Sequence, residues 1–245
     1  MKRFLIFLTL TFVLVTNADH HEKSGGEEAT AGQKSARKPL NYVIVDYMDV
    51  VEGKEKDYLK AEGIWQKVHE FWAQEGRILG WGCAKARENT LDIEYITWKI
   101  VHSREDVVGL YDMEAIEEII GKNDFKILSD LTGPSRSIVG SEVLKLSDFT
   151  LSVAGSSFAE LSAENIAFDW DFMTPSEGRF ADYLEMEHKY AQPWAQAKVQ
   201  NDPRFIGWDL HEVVSSNGKT HSSKVRTLNS FRKDVALSQT ELDAI

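Results

Sequence analysis

The 245-residue sequence predicts an α+β chain built from two tandem βαββαβ units, and three observations carry that prediction. Asp46–Leu59 (DYMDVVEGKEKDYL) and Asp171–Leu184 (DFMTPSEGRFADYL) agree at seven of fourteen positions at a constant offset of 125. Each copy alternates β-branched and aromatic runs with segments of helical period, in the same order. The composition, 42% hydrophobic and 27% charged, is that of a chain able to bury a core.

The N-terminus reads as a segment apart from this repeat. Met1-Lys2-Arg3 precedes twelve uncharged, mostly apolar residues (4–15, FLIFLTLTFVLV), and Thr16-Asn17-Ala18 follows. That is the pattern of an export signal spanning 1–18. The apolar run is shorter than the roughly 20 residues of a spanning helix, so no stable membrane insertion is expected after cleavage. The mature protein is expected in the periplasm or outside the cell. Cleavage after Ala18 removes Lys2 and Arg3 but no acid, taking the formal charge from 28 − 39 = −11 to 26 − 39 = −13. Such acidity excludes nucleic acid as a main partner, because that role needs a basic footprint.

Residues 19–39 are rich in Gly, Ser, Ala and charge and form a polar tether. Asp19-His20-His21 would stand at the new terminus. Its amine, two amide nitrogens and the His21 imidazole make a square-planar set suited to copper or nickel. The alternative reading is two histidines in a solvated tail.

The first copy, 40–147, opens with a strand at 42–48. The Glu52-Gly53 turn leads into a helix over 53–75, with Ala61, Ile64, Trp65, Val68, Phe71 and Trp72 on one face. Gly76 ends it, strands follow at 77–86 and 92–102, a second helix starts near Arg104, and 136–146 closes the unit. A connector spans 148–162. The second copy, 163–245, repeats the plan with a strand at 166–173, a helix over 177–200, strands at 204–214 and 222–230, and a helix beginning near Arg232. After a two-residue insertion, Gly207-Trp208 matches Gly80-Trp81. The second copy reaches Ile245 inside its second helix, so its closing strand is expected from elsewhere, with DFTLSVAG (148–155) as one source. This element order is the split-βαβ, or ferredoxin-like, unit.

A doubled ferredoxin-like unit with a long first helix resembles the dimeric α/β-barrel superfamily. That group includes antibiotic-biosynthesis-type monooxygenases, stress-responsive barrels and NIPSNAP-like proteins. The passage 65–81 (WQKVHEFWAQEGRILGW) is similar to the helix-to-second-strand passage of secreted bacterial members. The likeness covers about 40–147 and 163–245 and is one of fold. It implies two sheets enclosing a cavity, with helices outside. Haem enzymes, cofactor-free oxygenases and binding proteins all occur on this scaffold, so the fold leaves function open.

Strand alternation sorts the candidate site residues. Val43, Val45 and Tyr47, with Phe168, Trp170 and Phe172, form a large apolar face expected to pack under the helices. Asp46 and Asp171 fall on the other face, expected to point to the interior. There they read as general bases, or as acceptors for neighbouring turns and strands. On the first helix Tyr58, Glu62, Trp65, His69 and Trp72 recur at i, i+4, i+7, i+11 and i+14, and the second copy keeps Tyr183 and Glu187 but places Tyr190 and Trp194 next. The copies thus diverge at His69, as expected if one half alone keeps a site. His69 reads as a proton shuttle, a haem axial ligand or a satisfied boundary histidine. His211 faces with Asp209 on a strand of the second copy, and His102 lies near a strand end. Cys83, the single cysteine, reads as a core thiol. No H-E-x-x-H, G-x-S-x-G, phosphate-loop or dinucleotide motif is present.

Three functions stay open on these residues. The first is binding of a small molecule in an aromatic cavity between the halves, with Tyr58, Glu62, Trp65, Tyr183, Glu187 and His211 in contact. The second is an enzyme on the same scaffold, a cofactor-free oxygenase or isomerase using Asp46, Asp171 or His69, or a haem enzyme. The third is copper or nickel binding at the mature terminus.

Overall fold

The computed structural model describes residues 5–8, 13–14, 41–88, 93–103, 105–107, 111–151, 165–218 and 223–235. In the first half β3 (Tyr42–Val50) leads to α1 (Glu55–Gln74), β4 (Gly80–Glu88), β5 (Tyr95–Val101), a 3-10 turn (Glu105–Val107), α2 (Met113–Ser135) and β6 (Arg136–Phe149). In the second, β7 (Ile166–Met173) leads to α3 (Phe180–Met186), a π turn (Glu187–Ala191), α4 (Gln192–Asn201), β8 (Phe205–Gly218) and β9 (Val225–Arg232). Two short strands, β1 (Leu5–Leu8) and β2 (Val13–Leu14), precede them.

All pairings are antiparallel, in the order β1-β7-β9-β8-β6-β3-β5-β4-β2. Because β1 also pairs with β4, the sheet curls back on itself into a closed ring. The order β6-β3-β5-β4 is the 4-1-3-2 order of a ferredoxin-like unit, and β7-β9-β8 gives 1-3-2. The halves join where β6 pairs with β8. β1 lies between β7 and β4, where a fourth strand of the second half belongs. Of DFTLSVAG, residues 152–155 lie outside the described residues. Its Asp148 and Phe149 end β6 and pair with Leu210 and Asp209.

The same local rules shape both halves. Gly53 and Gly178 take φ of 76° and 73° in the turns before the helices, a conformation that favours glycine. Where one helix was expected over 177–200, a π turn separates α3 from α4. The offset between copies grows from 125 at Glu187 to 127 at Gly207, and a π turn takes up extra residues inside a helix. Near Arg104 a single 3-10 turn stands where a helix was expected. α2 starts only at Met113, capped by Asp112, whose carboxylate accepts from the Glu114 and Ala115 amides.

The two faces of the sheet are the reverse of the sequence expectation. Val43, Val45, Tyr47, Trp98, Phe168, Trp170 and Phe172 pack as one cluster inside the ring. Trp98 meets Phe168 at 5.7 Å and Tyr47 meets Phe172 at 5.9 Å between ring centroids, so the two halves share this core. Alternation separates faces without saying which is inward, and the larger apolar load belongs where protein closes over it on both sides. These side chains fill the part of the ring from Trp98 to Phe172, where an open aromatic cavity was expected, while Asp209 and Leu228 on the same face are only partly buried. Asp46 and Asp171 lie on the outer, helix-covered face, with Ile44, Met48, Trp81, Cys83 and Tyr95 in the first half.

Gly82 shows how tightly the interior is filled beside Trp98. A Cβ there would overlap the Trp98 indole. Gly82→Ala is expected to push Trp98 off Phe168 and cost about 1–3 kcal/mol, read as a lower urea midpoint at unchanged slope.

Candidate functional site

The polar groups of the first half collect between α1 and the outer face of its sheet. Lys99 is a lone cation in the apolar strand YITWKIV, and its side chain is 4% exposed. Its Nζ donates to Asp46 Oδ2 at 3.0 Å and to the Tyr111 hydroxyl at 2.5 Å. Burial alone would lower its pKa, but Tyr111 and Asp46 outweigh that and raise it, so the ammonium persists. Asp46 also accepts from Ser141 Oγ at 2.7 Å. Both oxygens of Asp46 are thus engaged, and it lies on the helix-covered face and not in the interior, where it was expected.

Glu62 is buried beneath α1 with Arg136, whose Nε stands 3.5 Å from its Oε1. Burial pushes the Glu62 carboxyl up to about 7, against the pull of Arg136 and Lys99. Tyr58 contacts Cys83, hydroxyl to sulfur, at 3.7 Å. Burial raises both pKa values, so Cys83 is the core thiol expected and Tyr58 a core hydroxyl.

His69 is the exception in this network. Its Nδ1 donates to the Trp65 carbonyl oxygen at 2.7 Å, which fixes the proton on that nitrogen. Burial, then the Lys99 charge, hold its pKa well below the usual value, so the ring is neutral. Nε2 therefore presents a bare lone pair, buried and without a partner. The imidazole lies flat on Trp81 at 4.9 Å, edge-on to Trp72 at 5.2 Å, and 5.9 Å from Trp65. Tyr111 closes the cluster, 5.9 Å from Trp65 and 6.0 Å from Trp72. Two of these indoles, Trp65 and Trp72, also keep buried N–H groups without a partner.

The second half departs at the decisive positions. Asp171 sits opposite Thr227 as Asp46 sits opposite Thr97. Opposite the matched tryptophans, however, Trp81 faces Lys99 and Trp208 faces Asn229. Asp171 accepts from Thr227 at 3.4 Å, and Tyr183 hydrogen-bonds Glu187, whose carboxyl burial raises. Tyr190 and Trp194 are 62% and 56% exposed, where Trp65 and His69 are buried. Of these two matching clusters, only that of the first half contains an imidazole.

The predicted residues thus divide among separate places. Tyr58, Glu62, Trp65 and His69 share one cluster with Asp46, and Asp171, Tyr183 and Glu187 occupy the matching place in the other half. His211 lies inside the ring beside Arg226, and His102 is exposed. Asp19, His20 and His21 fall outside the described residues. Lys99, Tyr111 and Arg136 are additions to the predicted site. The first was detectable as a single lysine inside an apolar strand.

Among the described residues, no group of three or more His, Cys, Asp and Glu forms a metal cage. Haem asks for one axial nitrogen, which Nε2 of His69 would supply. The rest does not fit the macrocycle. Three indoles surround the imidazole within 5.9 Å, and the nearby cations are committed to Asp46 and Glu62.

No family model and no curated protein matches this chain. Solved structures do. A proposed monooxygenase from Lactobacillus acidophilus NCFM is 6% identical, with 84% of this chain and 80% of that one covered at a TM-score of 0.46. An anthrone oxidase-like protein is 11% identical, with 85% and 77% covered at 0.39. A chlorite dismutase variant from Candidatus Nitrospira defluvii, solved with cyanide, is 12% identical, with 83% and 79% covered at 0.46.

Proposed function

We propose that this is an exported protein whose first half binds a small organic molecule bearing an acidic O–H or N–H, beneath α1 beside His69. The observation that carries the reading is the buried, unpartnered Nε2 lone pair, with the unpartnered indole N–H groups of Trp65 and Trp72 around it. Each such group costs about 1–3 kcal/mol if nothing satisfies it. A ligand hydroxyl donating to Nε2 and accepting from an indole removes that cost. Lys99 keeps its positive charge near this nitrogen while His69 stays neutral. Export rests on the pattern of residues 1–18, whose cleavage would remove β1 and β2 and leave β7 and β4 as the edges of an open sheet, and N-terminal sequencing of the protein from its host tests it.

The same pair supports a second reading, proton abstraction from a bound substrate. A neutral imidazole takes the proton and an adjacent ammonium steadies the anion.

4-Nitrophenol tests the site, since its ionisation changes its absorbance. Bound 4-nitrophenol is expected to keep the spectrum of the neutral phenol above the free phenol's pKa, because only that form donates to Nε2, and to quench tryptophan fluorescence. His69→Phe is expected to weaken binding by about 10- to 100-fold, the range for leaving a buried donor unpaired. No binding, or equal affinity in the variant, rejects the site. A Soret band in protein purified from its host would reject it in favour of haem.

A further inference from the structure

We infer that the inside of the ring holds a second site, for a small organic cation, built on Asp209. Strand register places its groups on one face in adjacent rows. Phe172, Arg226 and His211 form one row across β7, β9 and β8. Trp170, Leu228 and Asp209 form the next, and Phe168, Ser230 and Gly207 the third. Trp208 and Leu210, which flank Asp209, pack under α4, so Asp209 points to the opposite side, toward the shared core.

Asp209 differs from the other enclosed acids. Asp46 has Lys99 and Ser141, Glu62 has Arg136, Glu142 has Arg226 and Tyr47, Asp171 has Thr227 and Glu187 has Tyr183. Asp209 has neither hydrogen bond nor ion pair among the described residues, and burial alone raises its carboxyl to about 7. Three neighbours on its face are also unmatched. Trp170 Nε1, His211 Nδ1 and Ser230 Oγ are buried without a partner, on side chains each more than nine-tenths buried.

The group that would complete this set carries positive charge. Arg226 cannot supply it, since its guanidinium is bound to Glu142 and stacked 3.9 Å over Phe172. An anion would meet the carboxylate, and an apolar molecule would leave four polar groups unpaired. An ammonium answers three of them, with its charge on Asp209 and N–H donors to Ser230 and the neutral His211, while Trp170 and Phe168 offer it aromatic faces. This site stands on the other face of the sheet from His69 and is independent of the reading given to His69.

Titration calorimetry with benzylammonium tests it at pH 8, where Asp209 is ionised. One site per chain is expected, with at least tenfold weaker binding of benzyl alcohol, the neutral analogue. Asp209→Asn is expected to lose benzylammonium at least tenfold, while His69→Phe leaves it unchanged. Absence of binding overturns the site, as does equal affinity for benzyl alcohol or unchanged affinity in Asp209→Asn. The comparison of the two probes on the unaltered protein holds even if Asp209→Asn does not fold.

Discussion

Arg226→Met is expected to destabilise the protein by about 3–5 kcal/mol, the largest loss for any single substitution considered. Arg226 lies on β9 and Glu142 on β6, with β8 between them, so their ion pair ties the second half to the first. Both side chains are fully buried. Arg226 donates from Nε to Glu142 Oε2 at 2.9 Å and from Nη2 to Oε1, and Tyr47 adds a hydrogen bond at 2.8 Å. Removing the guanidinium strands a carboxylate in the apolar cluster that contains Tyr47, Trp98 and Phe172. The double variant Arg226→Met/Glu142→Leu removes both charges and is expected to regain most of the loss, because the attraction only offsets two desolvation costs. Urea unfolding of the four proteins in the cycle measures this. A double variant as unstable as Arg226→Met would show that packing, and not the stranded charge, dominates.

The strand order was legible because Asp46–Leu59 and Asp171–Leu184 announce the same turn and helix start twice. Direction across the sheet was not legible. Period two assigns Tyr47 and Asp46 to opposite faces but cannot tell the closed side from the helix-covered side. The size of Trp170, Phe168 and Phe172 held the clue, since three such side chains need protein above and below. His69 was legible as the point where the copies diverge, but its single free nitrogen was not, because that depends on the Trp65 carbonyl fixing the proton. Tyr111 gave no sequence signal. It reaches Lys99 from the segment between the 3-10 turn and α2. Asp209 stood out only as a polar residue in a strand. That it lacks a partner among the described residues follows from Arg226 choosing Glu142, a pairing between residues 84 apart.

His69→Phe and Glu62→Gln are expected to tilt the pH dependence of stability in opposite directions. Below about 6.5 the unfolded chain protonates its histidines, whereas the folded chain keeps His69 neutral to well below that value and His211 neutral to about 4. On their own, these two remove stability as pH falls. Glu62 and Asp209 work the other way. Folding holds their protons up to about 7, when the unfolded carboxyls have already lost them, so on their own they add stability as pH falls from 7. Glu187, also raised, acts in the same sense as these carboxyls. Between about 4.5 and 6.5 the two histidines and two carboxyls bind two protons in either state, and their effects oppose. Relative to the unaltered protein, His69→Phe deletes one unfolded-state proton and should gain about 1.4 kcal/mol per pH unit as pH falls through that window. Glu62→Gln deletes one folded-state proton and should lose as much. Over two pH units the variants therefore separate by about 5 kcal/mol, whatever constant offset each substitution adds by removing the contact with Trp81 or Arg136. Urea unfolding at pH 4.5, 5.5 and 6.5 reads both slopes. Parallel curves for all three proteins would mean that neither group is held in the state assigned to it, and with His69 charged at pH 6 no bare nitrogen would be available to a ligand.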